Sequence, residues 1–447
     1  MAQTNLSEWS SAKKASVNGN IALYAGVFAS ILCGAALALG GPIAVLLAAA
    51  AMIALFLFTR PFAILCVLLS LIAFEAINAI QPRELYTITI AKVVGGLLVV
   101  SLLPYFIKGK MQIKSGIAVG IIGVFLLCGL ASFLKAVNYT AAASSLFTFI
   151  QLGILFVVVG VLVTNIERLR VLGKVAVLTL SVSALIGIGQ YITDPTVRII
   201  GVSQNAAVLS ADLYVALWFG IALMLTTKVR AAKTFWAIVI AIISLGLLFS
   251  LSRAAYIAFI PSVAAAGFFW GRPRHTLAIL AVVLILIVFF APFTLRRLAE
   301  TGVEDRSTRG HIYSIQTGIN IFLDNPFIGI GIGNYPEHYL RYTSDVRGAP
   351  RTPHNAYLGI ASEMGIFALG AYLAMNLMAF HSLWIVSGRL KEKRDYEGLI
   401  FIGIIAGALT AFFVMNIFHS LQISKYLWVL FALAIQFPWQ KEPIAGQ

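Results

Sequence analysis

Residues 296–357 read RRLAETGVEDRSTRGHIYSIQTGINIFLDNPFIGIGIGNYPEHYLRYTSDVRGAPRTPHNAY. This is the one long polar stretch in a chain otherwise made of apolar blocks. About sixty residues without a membrane-length apolar run is far more than an ordinary connection needs. The contrast with its flanks decides the fold, because what lies on either side is apolar enough to live in lipid. Binding and chemistry gather on loops held by a rigid scaffold, so candidate functional residues are sought here first.

Outward from that stretch, 60% of the 447 residues are hydrophobic and only 11% are charged. Soluble domains are about a quarter charged. The expected fold is therefore an all-α polytopic membrane protein. Fourteen apolar blocks have spanning length: 21–39, 42–58, 62–80, 87–107, 116–134, 142–163, 171–191, 211–227, 235–251, 254–270, 277–293, 356–386, 399–418 and 421–437. The turns at Gly40–Gly41 and Ser252–Arg253 are very short. Either flanking pair could instead be one re-entrant or broken helix, which makes twelve spans the alternative. One membrane domain follows, with residues 1–295 carrying eleven spans, 296–355 a loop, and 356–447 the last three spans.

The net charge of +15 lies largely in short loops, where it sets topology and meets anionic lipid; nucleic acid is not the expected partner. With the N-terminus inside, nineteen of the 32 Lys and Arg fall inside, as does every short loop with two or more of them. The long loop is then outside, which is periplasmic in a Gram-negative inner membrane, and both termini are cytoplasmic. The polar N-terminal twenty residues, with Lys13 and Lys14, read as a cytoplasmic tail rather than a cleaved leader. Cys33, Cys66 and Cys128 sit in apolar blocks, with no CxxC or Cys/His cluster to suggest a disulfide framework or zinc.

Within the loop, Ile312, Ile315, Ile319 and Phe322 recur at helical spacing, and Arg309, Tyr313, Gln316 and Asn320 take the same spacing on another face. That predicts an amphipathic helix ending at Asp324-Asn325-Pro326. We expect it to lie on the outer surface and roof a cavity between spans. GIGIGNYP reads as flexible backbone after it. The GxGxG it contains has no preceding strand and no GK[ST], so it is a weak nucleotide signal.

Four cationic residues stand out, all on the outer side: Arg198 in YITDPTVRIIGVSQN, Arg253 in LSLSRAAY, Arg309 and His354. Cations at membrane depth pair or bind something, and the arginine fork suits phosphate. Several forks on one rim suit a lipid-linked diphosphate. His354 changes protonation near neutral pH and is placed to act as a base. The structural alternatives are arginines that snorkel to headgroups and a histidine that caps a helix; His311 and His338 share the loop and stay open for the same role. Glu75 and Lys92 have similar depth and suit an ion pair. Glu363 lies about two and a half helical turns below His354. Asn376, His381, Asn416 and His419 suit interhelical hydrogen bonds.

Arg309, LDNPFIGIGIGNY and PHNAYLGIASEMGIFALGAYL together resemble the signature region of the bacterial O-antigen ligase and polymerase superfamily. LSLSRAAY is similar to its Ser-Arg-Gly turn, with Ala254 for glycine, and VRIIGVSQN to its Arg-Gly-Asn loop, with Ser203-Gln204-Asn205 for Asn-Pro-Asn. The resemblance spans about 198–371. It implies a glycosyltransferase that moves a glycan from undecaprenyl diphosphate to an acceptor hydroxyl, with neither a metal nor another cofactor. It implies His354 as the base, with Arg198, Arg253, Arg309, Asn205, Tyr313 and Asn355 binding substrate and inversion at the anomeric carbon. The favoured acceptor is lipid A–core, which makes a ligase. The alternatives are a polymerase using another lipid-linked glycan, a protein O-glycosyltransferase, and, from another class, a transporter of lipid-linked glycan.

Overall fold

The computed structural model describes residues 59–74, 90–107, 115–194, 198–203, 205–271, 306–344 and 351–437. In lipid, each backbone N–H and C=O must be bonded within its own segment, so apolar blocks become helices. All eleven blocks that fall on described residues are helical. Blocks 21–39, 42–58 and 277–293, the turn at Gly40–Gly41 and Glu75 lie outside the described residues, as do Cys33, Arg296 and Arg297. Two apolar helices are short, α1 (Pro61–Ile72) and α13 (Lys425–Gln436), and α2 (Ile90–Ile107) is an apolar helix of 18 residues with Pro104 inside it. Eight are long and apolar enough to cross a membrane. They are α3 (Gly116–Phe133), α4 (Tyr139–Leu162), α5 (Ile166–Thr193), α6 (Ala206–Thr226), α7 (Arg230–Phe249), α8 (Arg253–Trp270), α11 (Ala356–Glu392) and α12 (Tyr396–Met415). The protein is an all-α polytopic membrane protein, with no strand among the described residues.

The centre of the bundle is α6 and α12, which are buried almost all round. Helices that are apolar on every face belong inside. α12 approaches α8 and α6 through glycines: a Cβ on Gly403 would meet Ala266 O at 2.8 Å, and one on Gly407 would meet the Trp218 ring at 2.7 Å. Hydrogen bonds complete the seam, Trp218 Nε1 donating to Ser262 Oγ and Ser262 Oγ to the Gly407 carbonyl. Such bonds contribute about 0.6–2 kcal/mol each in a membrane bundle. α7 packs on α5 and α6, whereas α8 packs on α12. The turn at Ser252–Arg253 therefore joins two separate helices, each of spanning length, not the halves of a broken one.

Helix α11 is itself interrupted. Gly365 has φ +84° and ψ −179°, which breaks the helix inside a span. A break at membrane depth frees backbone groups that cost several kcal/mol each if left unbonded. Here the glycine-rich segment supplies the partners. Ile330 N donates to Ser362 O, Gly331 N to Glu363 O, and Ile366 N to Pro326 O. The Glu363 carboxylate accepts from Gly333 N at 2.9 Å and from Tyr335 N at 3.1 Å.

This corrects the expectation of a flexible glycine run. Residues 329–332 are buried, and the glycines sit at alternate positions with φ of +74°, +107° and +72°. A Cβ on Gly329 would strike the Glu363 backbone at 2.3 Å, and one on Gly331 would strike Ala136 Cα at 2.7 Å. Close approach, not mobility, is what these glycines provide. Asn334 locks the far end: its Oδ1 accepts from Val137 N and Asn138 N, and its Nδ2 donates to the Asn138 and Ile332 carbonyls.

The amphipathic helix is present as α9 (Arg306–Asp324), followed by the short α10 (Tyr335–Tyr342). The face that packs is not the isoleucine stripe. Gly310, Ser314, Thr317, Gly318 and Ile321 are buried, at spacings that share one face. Ile312, Ile315 and Ile319 are 45%, 39% and 43% exposed. Small side chains let α9 approach α11 closely, since a Cβ on Gly318 would lie 2.7 Å from Leu358. α9 is thus bedded on α11 by its small residues and turns its isoleucine stripe outward.

Candidate functional site

The site forms where four connecting segments and the start of α9 meet at one end of the bundle. The first carries Arg198. Its loop is held by α5: Gln190 Oε1 accepts from Ile200 N and Gly201 N, Gln190 Nε2 donates to Gly201 O, and Ser183 Oγ accepts from Val202 N. Gly201, at φ +55°, sits where a Cβ would fall 2.6 Å from the Ser183 carbonyl. Asn205 then caps α6, its Oδ1 accepting from Ala207 N and Val208 N.

The second segment is the LSLSRAAY turn. Ser210 Oγ donates to Ser250 Oγ, and Ser252 Oγ caps α8 by accepting from Ala255 N. Leu251 takes φ +50° between them. Tyr214 and Tyr256 hydroxyls donate to the Ala255 and Leu248 carbonyls. Arg253 is thereby fixed as the first residue of α8.

The third and fourth segments hold each other. Ala356 N donates to Asn416 O at 2.8 Å, and Ser420 Oγ donates to Pro353 O. Asn416 also donates through Nδ2 to Tyr372 OH and accepts at Oδ1 from Leu421 N. The turn after α12 is therefore latched to the segment before α11, which carries Arg351 and His354. Asn355 caps α11, its Oδ1 accepting from Leu358 N, so the capping role belongs to Asn355 and not to His354.

Three histidines result from this assembly. The ring of His311, from α9, lies 4.4 Å from His354 and 5.8 Å from His419, centroid to centroid. Burial pushes His311 down to about 4, aided by the positive charges of His354, Arg253, Arg198 and Arg351. Burial likewise takes His419 to about 4, with His311, His354 and Arg198 adding to it. His354 is lowered by burial and then by Arg351. At neutral pH the imidazoles are uncharged and free to accept a proton, in a field made positive by three arginines. Among the described residues, no group of three or more His, Cys, Asp or Glu side chains is arranged to hold a metal ion, this trio included. Three helix N-termini, those of α6, α8 and α11, open at the same end and add their partial positive charge.

Of the residues singled out from sequence, the structure brings Arg198, Arg253 and His354 together. Tyr313 is half-buried on α9, two positions from His311 and so about 200° round the helix. It does not bear on the histidines. The Arg309 side chain lies outside the described residues. Sequence reasoning left His311 open, assigned His419 to helix contacts and passed over Arg351. A Cβ on Gly310 would fall 2.2 Å from Arg351 Nη1, so that glycine makes the room Arg351 occupies. The available signals were an arginine three residues before His354, and a histidine just past the end of a span.

Residues 236–373 match the family model described as O-antigen ligase. Over those residues the chain is similar to the O-antigen ligase family. The match runs from α7 to the first half of α11 and contains Arg253, Arg309, His311, Arg351, His354 and Asn355. That similarity supports a function of O-antigen ligase or polymerase type in general. Arg198, Asn205 and His419 lie outside the matched residues and reach the O-antigen ligase-type segment only through the fold. No curated protein matched the chain in a sequence search.

Proposed function

We propose that the protein transfers a glycan from undecaprenyl diphosphate to a hydroxyl of lipid A–core at the periplasmic face of the inner membrane. The observation that supports this reading is the gathering of Arg198, Arg253 and Arg351 around His311, whose ring lies against a half-buried, uncharged His354. The arginine forks and the three helix N-termini receive the diphosphate and stabilise the charge it gains on leaving. Asn205 and Asn355 border the donor site through the helix ends they cap. The acceptor hydroxyl attacks the anomeric carbon from the face opposite the diphosphate. The new C–O bond forms as the bond to phosphate oxygen breaks, and His354 takes the hydroxyl proton. One displacement inverts the anomeric centre.

The test is transfer by purified protein given the lipid-linked glycan, with and without lipid A–core. Glycan on lipid A–core, with inverted configuration, is the expected result. Growth of the lipid-linked glycan alone would make the protein a polymerase using the same site. Retained configuration would overturn the single displacement. Tight donor binding with no transfer would favour a transporter.

A further inference from the structure

A cavity opens at the same end of the bundle, away from the histidines. Its volume is about 370 Å³ and its walls include Lys135, Asp324, Asn325, His338, Arg341 and Tyr342. That volume is within the range of small-molecule sites, about 300–1,000 Å³. Asp324 ends α9 thirteen residues after His311, which puts the cavity about 20 Å along the helix from the histidine cluster. No base candidate from that cluster reaches it, so its role is to bind rather than to react.

The walls are rigid and their chemistry is mixed. Lys135 belongs to the turn between α3 and α4, and that turn is tied to α10 by Asn334 and by Asn138 Nδ2, which donates to Glu337. Neither Lys135 nor Arg341 has an acidic partner among the described residues. The Arg341 guanidinium lies 5.7 Å from the centre of the Tyr342 ring. His338 Nε2 is buried without a hydrogen-bond partner. Two unpartnered cations face one carboxylate, so the cavity is net positive. An aromatic face, a carboxylate, an amide and a buried imidazole nitrogen are groups that stack on sugar rings and bond to hydroxyls.

Building on the transfer reading above, we propose that this cavity seats an anionic saccharide, part of either the acceptor or the donor glycan. Lys135 and Arg341 pair with its phosphate or carboxylate, Tyr342 covers a ring, and Asp324, Asn325 and His338 bond to its hydroxyls. A short oligosaccharide held here spans the distance to His354.

The test is equilibrium binding to the full-length protein in detergent, measured by thermophoresis. The probes are a lipid-free phosphorylated core oligosaccharide, the lipid-free donor glycan, and a neutral oligosaccharide of similar size. The proteins are wild type, Lys135→Ala/Arg341→Ala, Tyr342→Ala and His354→Ala, each checked for an unchanged melting temperature. At least one anionic probe should bind wild type and His354→Ala alike, and which probe binds assigns the source. Binding should weaken about tenfold or more in the double variant and fall with added salt, because charged hydrogen bonds are lost. Tyr342→Ala should weaken it less. Equal binding of the neutral probe, or unchanged binding by the double variant, would overturn the proposal. Because His354→Ala is silent in this assay, loss of transfer and loss of binding are separable outcomes.

Discussion

Two stretches of α11 handle polar groups in opposite ways. At Gly365 the freed backbone groups and the Glu363 carboxylate are met by amides and carbonyls of the glycine-rich segment. Ahead of the first turn, His354 faces His311, which also contacts His419 and has Arg198, Arg253 and Arg351 close by. The first arrangement is complete in itself and explains how a span can be broken. The second concentrates like charge and leaves its imidazoles uncharged, an arrangement that an anion would complete. A carboxylate in a bundle is thus no guide to chemistry until its partners are counted. Glu363 holds the loop, and His354, nine residues earlier, sits in the histidine cluster.

The largest effects should come from breaking the satisfied region. Gly331→Val puts a β-branched side chain at φ +107° against the Ala136 backbone. We expect loss of folded protein, seen as collapse of the monodisperse peak on size-exclusion chromatography. Glu363→Gln keeps the shape but presents an amide NH2 where one acceptor oxygen was. It should cost about 1–3 kcal/mol, read as a lower melting temperature.

In the cationic region the effect should move from stability to rate. His354→Ala should lower kcat by about 10²–10⁴-fold at an unchanged melting temperature. Arg198→Ala and Arg253→Ala should each weaken donor binding by about tenfold or more, the loss of a charged hydrogen bond, measured as KM for the lipid-linked donor. Gly310→Ala is the mildest: its methyl displaces the Arg351 guanidinium and should reproduce, in weaker form, the pH shift of removing that arginine.

The contrast between the regions also marks what could be read from sequence. Helical blocks were legible because lipid leaves the backbone no other choice, and Arg198, Arg253 and His354 because cations beside spans are scarce. The glycine run was misjudged: alternate glycines signal flexibility or close packing equally well, and only Ala136, Ser145 and the broken α11 decide between them. The packed face of α9 was not legible, because the isoleucine stripe is the stronger periodic signal while glycine, serine and threonine permit the closer contact. His419 and Arg351 join the site through long-range contacts. The latch between residues 416–420 and 353–356 brings in one, and the gap at Gly310 admits the other. No local pattern encodes either.

The central claim is that burial, aided by Arg351, keeps His354 uncharged so that it can take the acceptor's proton. The most direct test is the pH dependence of kcat/KM for wild type and Arg351→Gln, since kcat/KM reports the free protein. Burial first, and Arg351 second, hold His354 below its ordinary value of 6.5. A protonated imidazole cannot accept, so activity is present above that lowered value and lost as pH falls through it. The wild-type acid limb should therefore lie below pH 6.5. In Arg351→Gln one of the two causes is gone, and the limb should move to higher pH. The residual rate of His354→Ala should show no such limb. The same limb in all three proteins, or a shift to lower pH in Arg351→Gln, would contradict the account.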